Sequence, residues 1–167
     1  MPDGVNIEIK GLAELKAKLE DLGTKTAERC IRTALRAGAE IEREAVASRA
    51  PERPDLPSGT ALPPGALAND IVVKVKRSDQ GNISAIVTPD KLTAHAANWV
   101  EYGHRLVEGG RSRVNAKTGK TSGPGKEVGN VAPHPFIRPA FEATRDEVTQ
   151  TICTTLASEI EKASKSK

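Results

Sequence analysis

The residues of this 167-residue chain best suited to ligate a metal or attack a carbonyl are three histidines, His95, His104 and His134, and two cysteines, Cys30 and Cys153. Their spacing supports neither chemistry. No His-Glu-x-x-His, Cys-x-x-Cys or Gly-x-Ser-x-Gly occurs, so no ligand pair is set one helical turn apart and no nucleophile is lifted onto a strand-to-helix elbow. The cysteines lie far apart within helix-like patterns, which argues for buried thiols rather than a disulfide framework or a zinc site. Gly119-Lys120-Thr121 resembles the end of a phosphate-binding loop, yet the earlier glycine would fall at Val114 and no buried strand precedes it. Gly123-Pro124-Gly125 with Gly129 misses the dinucleotide fingerprint by one position. The expectation is a protein without catalytic residues, cofactor or metal.

Charge is the remaining chemical signal, and it is unevenly placed. Residues 1–50 hold nine basic and nine acidic side chains, and residues 134–167 hold five of each. The excess behind the net charge of +3 lies mainly in residues 103–133. There Arg105, Arg111, Arg113, Lys117, Lys120 and Lys126 face only Glu108 and Glu127. Seven glycines and two prolines interrupt every apolar stripe in that stretch, so it reads as a long, mobile basic arm. Such an arm could contact phosphates through counterion release. It contains no aromatic residue, and the chain has only four, so a base-stacking platform is not available.

The elements around the arm follow from periodicity. Val5, Ile7 and Ile9 alternate as in a half-buried strand. Leu12, Leu15, Leu19 and Leu22 form a narrow helical stripe ended by Gly23, and Thr24 can cap a second, longer helix. That helix carries Ala27, Ile31, Ala34, Gly38, Ile41 and Ala45, small residues that permit a close-packed neighbour, and Pro51 stops it. Five prolines in residues 51–66 make a connector. Residues 67–77 and 83–88 are rich in β-branched side chains across a Ser78-Asp79-Gln80-Gly81-Asn82 link, the pattern of an antiparallel hairpin. With the N-terminal strand, the sheet would have at least three strands. Residues 93–102 are ambiguous, with Ala94, Ala97, Trp99 and Val100 permitting a short helix that runs into an extended segment, and Pro139 suits the first turn of a last helix whose face holds Phe141, Val148, Ile152, Leu156 and Ile160.

All four aromatics, Trp99, Tyr102, Phe136 and Phe141, fall in residues 99–141. Trp99 and Phe141 are expected to fill the core, whereas Tyr102 and Phe136, beside glycine and proline, suit a subunit contact. Two short motifs frame the arm: Trp99-Val100-Glu101-Tyr102-Gly103 and Pro135-Phe136-Ile137-Arg138-Pro139-Ala140-Phe141. Glu101 and Arg138 are charges that could pair within the chain, pinning the roots of the arm, or between subunits. Pro135 and Pro139 restrict the residues before them, so this turn is partly pre-set.

With these motifs the chain resembles the tail-completion or head-tail joining proteins of long-tailed bacteriophages. The order agrees along nearly the whole chain: Val5 to Leu12, Ala50-Pro51, Gly65 with Leu67 and Ile71, the Glu101-Tyr102-Gly103 element, and the Pro135-led turn before the last helix. Two features depart from the pattern: His104 stands where the family often has threonine, and the arm is longer.

The fold expected is α+β, a single domain over residues 1–167. A small antiparallel sheet packs against a long N-terminal helix and a C-terminal helix (core 5–102 and 134–164), with a long flexible arm over 103–133. No run approaches the roughly 20 apolar residues of a membrane helix, and residues 1–10 lack the pattern of a signal peptide, so no membrane partner is expected. The resemblance implies a non-enzymatic virion protein made in the host cytoplasm. It would form a homo-oligomeric ring, six-fold by family analogy, between the tail tube and the head connector at the neck. Subunit or partner contacts would then fall at Glu101, Tyr102, Pro135, Phe136 and Arg138. The six basic residues of the arm would meet a partner or the genome DNA. The alternative is a small basic nucleic-acid-binding module that uses the 103–133 arm.

Overall fold

In the computed structural model, which describes residues 17, 22–52, 54, 62–108 and 126–165, the order of elements is α1 (Thr24–Arg49), α2 (Ala66–Asn69), β1 (Ile71–Arg77), β2 (Ile83–Pro89), α3 (Ala94–Tyr102), β3 (His104–Glu108), β4 (Lys126–Val131) and α4 (Ile137–Lys165). The architecture is α+β, with a long helix near each end and small antiparallel sheets between them. The strand expected at residues 5–9 and most of the leucine-striped helix lie outside the described residues. Among those described, the strands form two separate two-stranded sheets, β1–β2 and β3–β4, rather than one larger sheet.

The boundaries have local causes. Gly23 takes φ +77° immediately before α1, a conformation that costs glycine little. The helix runs for 26 residues on arginine, alanine and glutamate and ends before Ala50, whose helical conformation is disfavoured by Pro51. The β1–β2 hairpin turns through Ser78 and Asn82: the Ser78 N–H bonds the Asn82 carbonyl, and the Ser78 hydroxyl accepts the Asn82 N–H. Leu67, expected at the start of β1, belongs instead to the single turn α2 and is fully buried.

Packing divides the chain into two compact units, and the first comprises Met1–Ile41, Lys74–Ile86 and Asp146–Lys167. Here Cys30, 1% exposed, meets Ile160 and Ala163, with Leu22 and Leu156 around them. Cys153 is only half-buried. Gly38 is where backbones come close, since a Cβ there would stand 2.5 Å from Ile152 Cγ1 and 3.1 Å from the Val148 carbonyl oxygen. Glu28 ties α1 to β1: Arg32 donates to its Oε1 at 2.8 and 3.0 Å, and Arg77 donates to its Oε2 at 3.0 Å.

The second unit comprises Glu42–Val73 and Val87–Arg145. Its core is Val46, Leu67, Ile71, Ala96, Ala97, Val100, Phe136 and Ala140. The arm expected over 103–133 is structured at both ends, because β3 and β4 pair antiparallel from His104↔Val131 to Glu108↔Lys126, with a bulge between Leu106 and Val107. The ladder satisfies backbone groups, so strands form here without the apolar periodicity that would announce them. The central part of the arm, residues 109–125, lies outside the described residues.

Candidate functional site

The two motifs that frame the arm meet in the second unit, and helix α3 places the first of them. At its start, Asp70 Oδ2 accepts the Thr93 N–H at 3.2 Å and the Thr93 hydroxyl at 2.7 Å, while the Asp70 carbonyl accepts the Asp90 N–H. Thr93 is wholly buried. This holds the N-terminal turn of α3 so that Ala96, Ala97 and Val100 enter the core and Glu101 follows at the edge of the same face.

Glu101 is 6% exposed, and both of its carboxylate oxygens are occupied. Oε2 accepts the backbone N–H groups of Phe136 at 2.8 Å and Ile137 at 2.9 Å, and Oε1 accepts that of Arg138 at 3.2 Å. These are donors at the first turn of α4, which have no carbonyl partner within the helix. A carboxylate there also meets the positive end of the helix dipole. The charge is therefore matched by amides and not by a cation: Arg138 contributes its backbone N–H, and its side chain is exposed. The chain thus joins Glu101 to the Arg138 turn through backbone amides, and the two side-chain charges do not pair within the chain.

Two further contacts lock the motifs together. The His134 N–H donates to the Val100 carbonyl at 2.7 Å. Gly103 has φ +74°, and a Cβ on it would lie 2.6 Å from the Val131 carbonyl oxygen and 3.0 Å from Pro133 N. Only glycine fits that crossing without strain.

The two phenylalanines exchange the places expected for them. Phe136, expected at a subunit contact, is 0% exposed in the chain's own core, and Phe141, expected in the core, is 45% exposed. The reason is helical phase. The buried face of α4 in this unit begins at Ala140 and Thr144, one residue off Phe141, whereas Phe136 precedes the helix and turns inward with the backbone that Glu101 grips. Around the clamp, Tyr102 is 66% exposed, and Pro135 and Arg138 are also exposed. Pro51, Pro54, Val100, Val131, Ala132, Pro133 and His134 line an adjoining cleft of about 400 Å³.

Of the six basic arm residues, Arg105 and Lys126 stand on the β3–β4 ladder, where Arg105 forms an exposed ion pair with Glu127 at 3.5 Å. Arg111, Arg113, Lys117 and Lys120 lie outside the described residues. His104 has both ring nitrogens buried without a hydrogen-bond partner and sits 5.9 Å from the Trp99 ring. Sequence reasoning missed the Asp70–Thr93 contact. Its only sequence signal is an aspartate that closes a short turn and a threonine that precedes a helix, residues too common to pair across 23 positions.

The described residues include no group of three or more histidine, cysteine or acidic side chains placed to hold a metal ion, and no helix long and apolar enough to cross a membrane. A family model described as "Bacteriophage HK97-gp10, putative tail-component" matches residues 13–103. No curated protein and no solved structure matches the chain.

Proposed function

The chain belongs to the HK97 gp10-like family of bacteriophage tail components, and from that premise we propose that it is a non-enzymatic virion subunit that assembles as a ring at the head–tail junction. The observation that carries the reading is the Glu101 clamp. It commits a buried carboxylate to holding backbone, and so leaves no free acid or base at that point. It fixes three backbone amides of the turn before α4, and Tyr102, Pro135 and Arg138 around it are exposed. A surface ordered before binding loses little conformational entropy when it docks, and tyrosine and arginine are frequent anchors of interfaces. Neighbours in this reading are further copies of the chain, the tail tube and the head connector, six copies closing the ring by analogy with the family.

Native mass spectrometry of the purified protein, alone and with tail tubes, tests the proposal. A closed ring is the expected species. Tyr102→Ala combined with Arg138→Ala should shift it toward monomer while thermal unfolding of the subunit stays within about 4 °C, since each exposed substitution changes stability by roughly 0.5 kcal/mol or less. A monomer in both conditions, or a ring indifferent to both substitutions, would overturn the assignment of this surface.

A further inference from the structure

In the first unit, Lys25, Glu28, Arg29, Arg32, Thr33, Arg36 and Ala37 line an open groove of about 630 Å³ along α1. Among the described residues, four cations face it against one carboxylate. Glu28 is already spent on Arg32 and Arg77, and its carboxyl is held below the usual glutamate range chiefly by the Arg32 hydrogen bond. Among the described residues, Lys25, Arg29 and Arg36 have no ion-pair partner, and all three are exposed.

This charge runs against the local rules of helix stability. The first turn of α1 contains no acidic residue and carries Lys25, so cations stand at the positive end of the helix dipole. The acidic residues of α1 are concentrated in its second half, at Glu40, Glu42 and Glu44. Reversing the two halves would stabilise the helix, and a local rule broken without compensation among the described residues is expected where a ligand supplies the compensation.

We propose that this face of α1 binds the phosphate backbone of duplex nucleic acid. The lining selects that ligand over other polyanions. Among the described residues it offers no aromatic and no apolar side chain larger than Ala37, so a protein partner would find little to bury there. A single strand would find no ring on which to stack a base. A duplex backbone needs neither, only cations that follow it. Lys25, Arg29, Arg32 and Arg36 recur at three- and four-residue steps and so share one face over about 16 Å of helix rise, the axial length of roughly five base pairs. Arg77 stands beside them at the end of β1, 49% exposed. With no group to read base edges, binding is independent of sequence.

The experiment is a salt titration of a fluorescent 20-base-pair duplex bound to the full chain. Three phosphate contacts predict a slope of log affinity against log salt near −2.7, a loss of about 40-fold between 50 and 200 mM. Arg29→Gln with Arg36→Gln, exposed changes that retain helix propensity, should reduce that loss to about 3.5-fold for every duplex sequence. Ring formation by the same double variant is measured in parallel and should be unchanged, which separates this site from the clamp surface. The proposal is overturned if the slope is insensitive to the double variant, if it falls instead with Arg111→Gln and Arg113→Gln in the arm, or if polyglutamate of equal charge binds the groove and the duplex does not.

Discussion

Removing the Glu101 side chain should be among the most damaging single changes in the second unit, and the geometry sets its size. Glu101→Ala withdraws an acceptor from three N–H groups at 2.8, 2.9 and 3.2 Å, one of them on wholly buried Phe136. Loss of a helix cap alone costs about 1 kcal/mol. Leaving a buried donor unsatisfied adds about 1–3 kcal/mol, and a lost charge at the helix terminus adds roughly 0.5 kcal/mol. The three overlap, so about 3 kcal/mol is expected, equivalent to about 6–12 °C for a chain of this size. Glu101→Gln should cost about half as much. Its one carbonyl oxygen can keep the Phe136 and Ile137 bonds, whereas its amide nitrogen meets the Arg138 N–H donor to donor. Urea unfolding of the three proteins gives the midpoints directly, and equal slopes would show that stability alone has changed. If Glu101→Ala costs less than 0.5 kcal/mol, or if Gln is as damaging as Ala, the clamp is not what holds the turn.

Phe136→Ala should destabilise by about 3–5 kcal/mol, as core truncations do, and a loss of assembly without loss of stability would return Phe136 to the interface. Gly103→Ala should cost about 2 kcal/mol or more in thermal unfolding, because the new methyl meets the Val131 carbonyl at 2.6 Å in a left-handed backbone conformation. The two shifted carboxyls act in opposite directions with pH. Glu28, lowered from 4.5, stabilises the fold above about pH 4.5, and that contribution is lost as the pH falls through its folded value. Glu42 is raised from 4.5 by burial, so its ionisation opposes folding as the pH rises. Glu28→Gln should therefore lower the melting temperature at pH 7 and lose its effect in acid, whereas Glu42→Gln should raise it at pH 7 and do nothing below about pH 4. A Glu28→Gln variant that gains stability at pH 7, or a Glu42→Gln variant that loses it, would refute the corresponding assignment.

Much of the local structure was legible because it depends on neighbours in the chain. The helical stripe after Thr24, the turn chemistry from Ser78 to Asn82 and the helix after Pro139 are set by periodicity, glycine and proline within a few residues, and the structure has α1, β1–β2 and α4 in those places. Burial of Cys30 follows from its position on a small-residue face. The two motifs around the arm also stood out in the sequence. What they do to each other did not, because their contact spans about 35 positions and runs from a side chain to backbone amides, which every residue except proline carries. Sequence suggests that charges find charges, which matches Glu101 to Arg138. Only the fold shows that the unpaired end of a helix is its partner. The same holds for Phe136 and Phe141, since one residue of helical phase decides which ring is enclosed. The pairing of β3 with β4 rests likewise on backbone hydrogen bonds across a long insertion, and the glycine-rich sequence between them carries no periodic trace of it. Short-range preferences are written in side-chain types, whereas long-range pairing uses the backbone that all residues share and so is settled only in the tertiary structure.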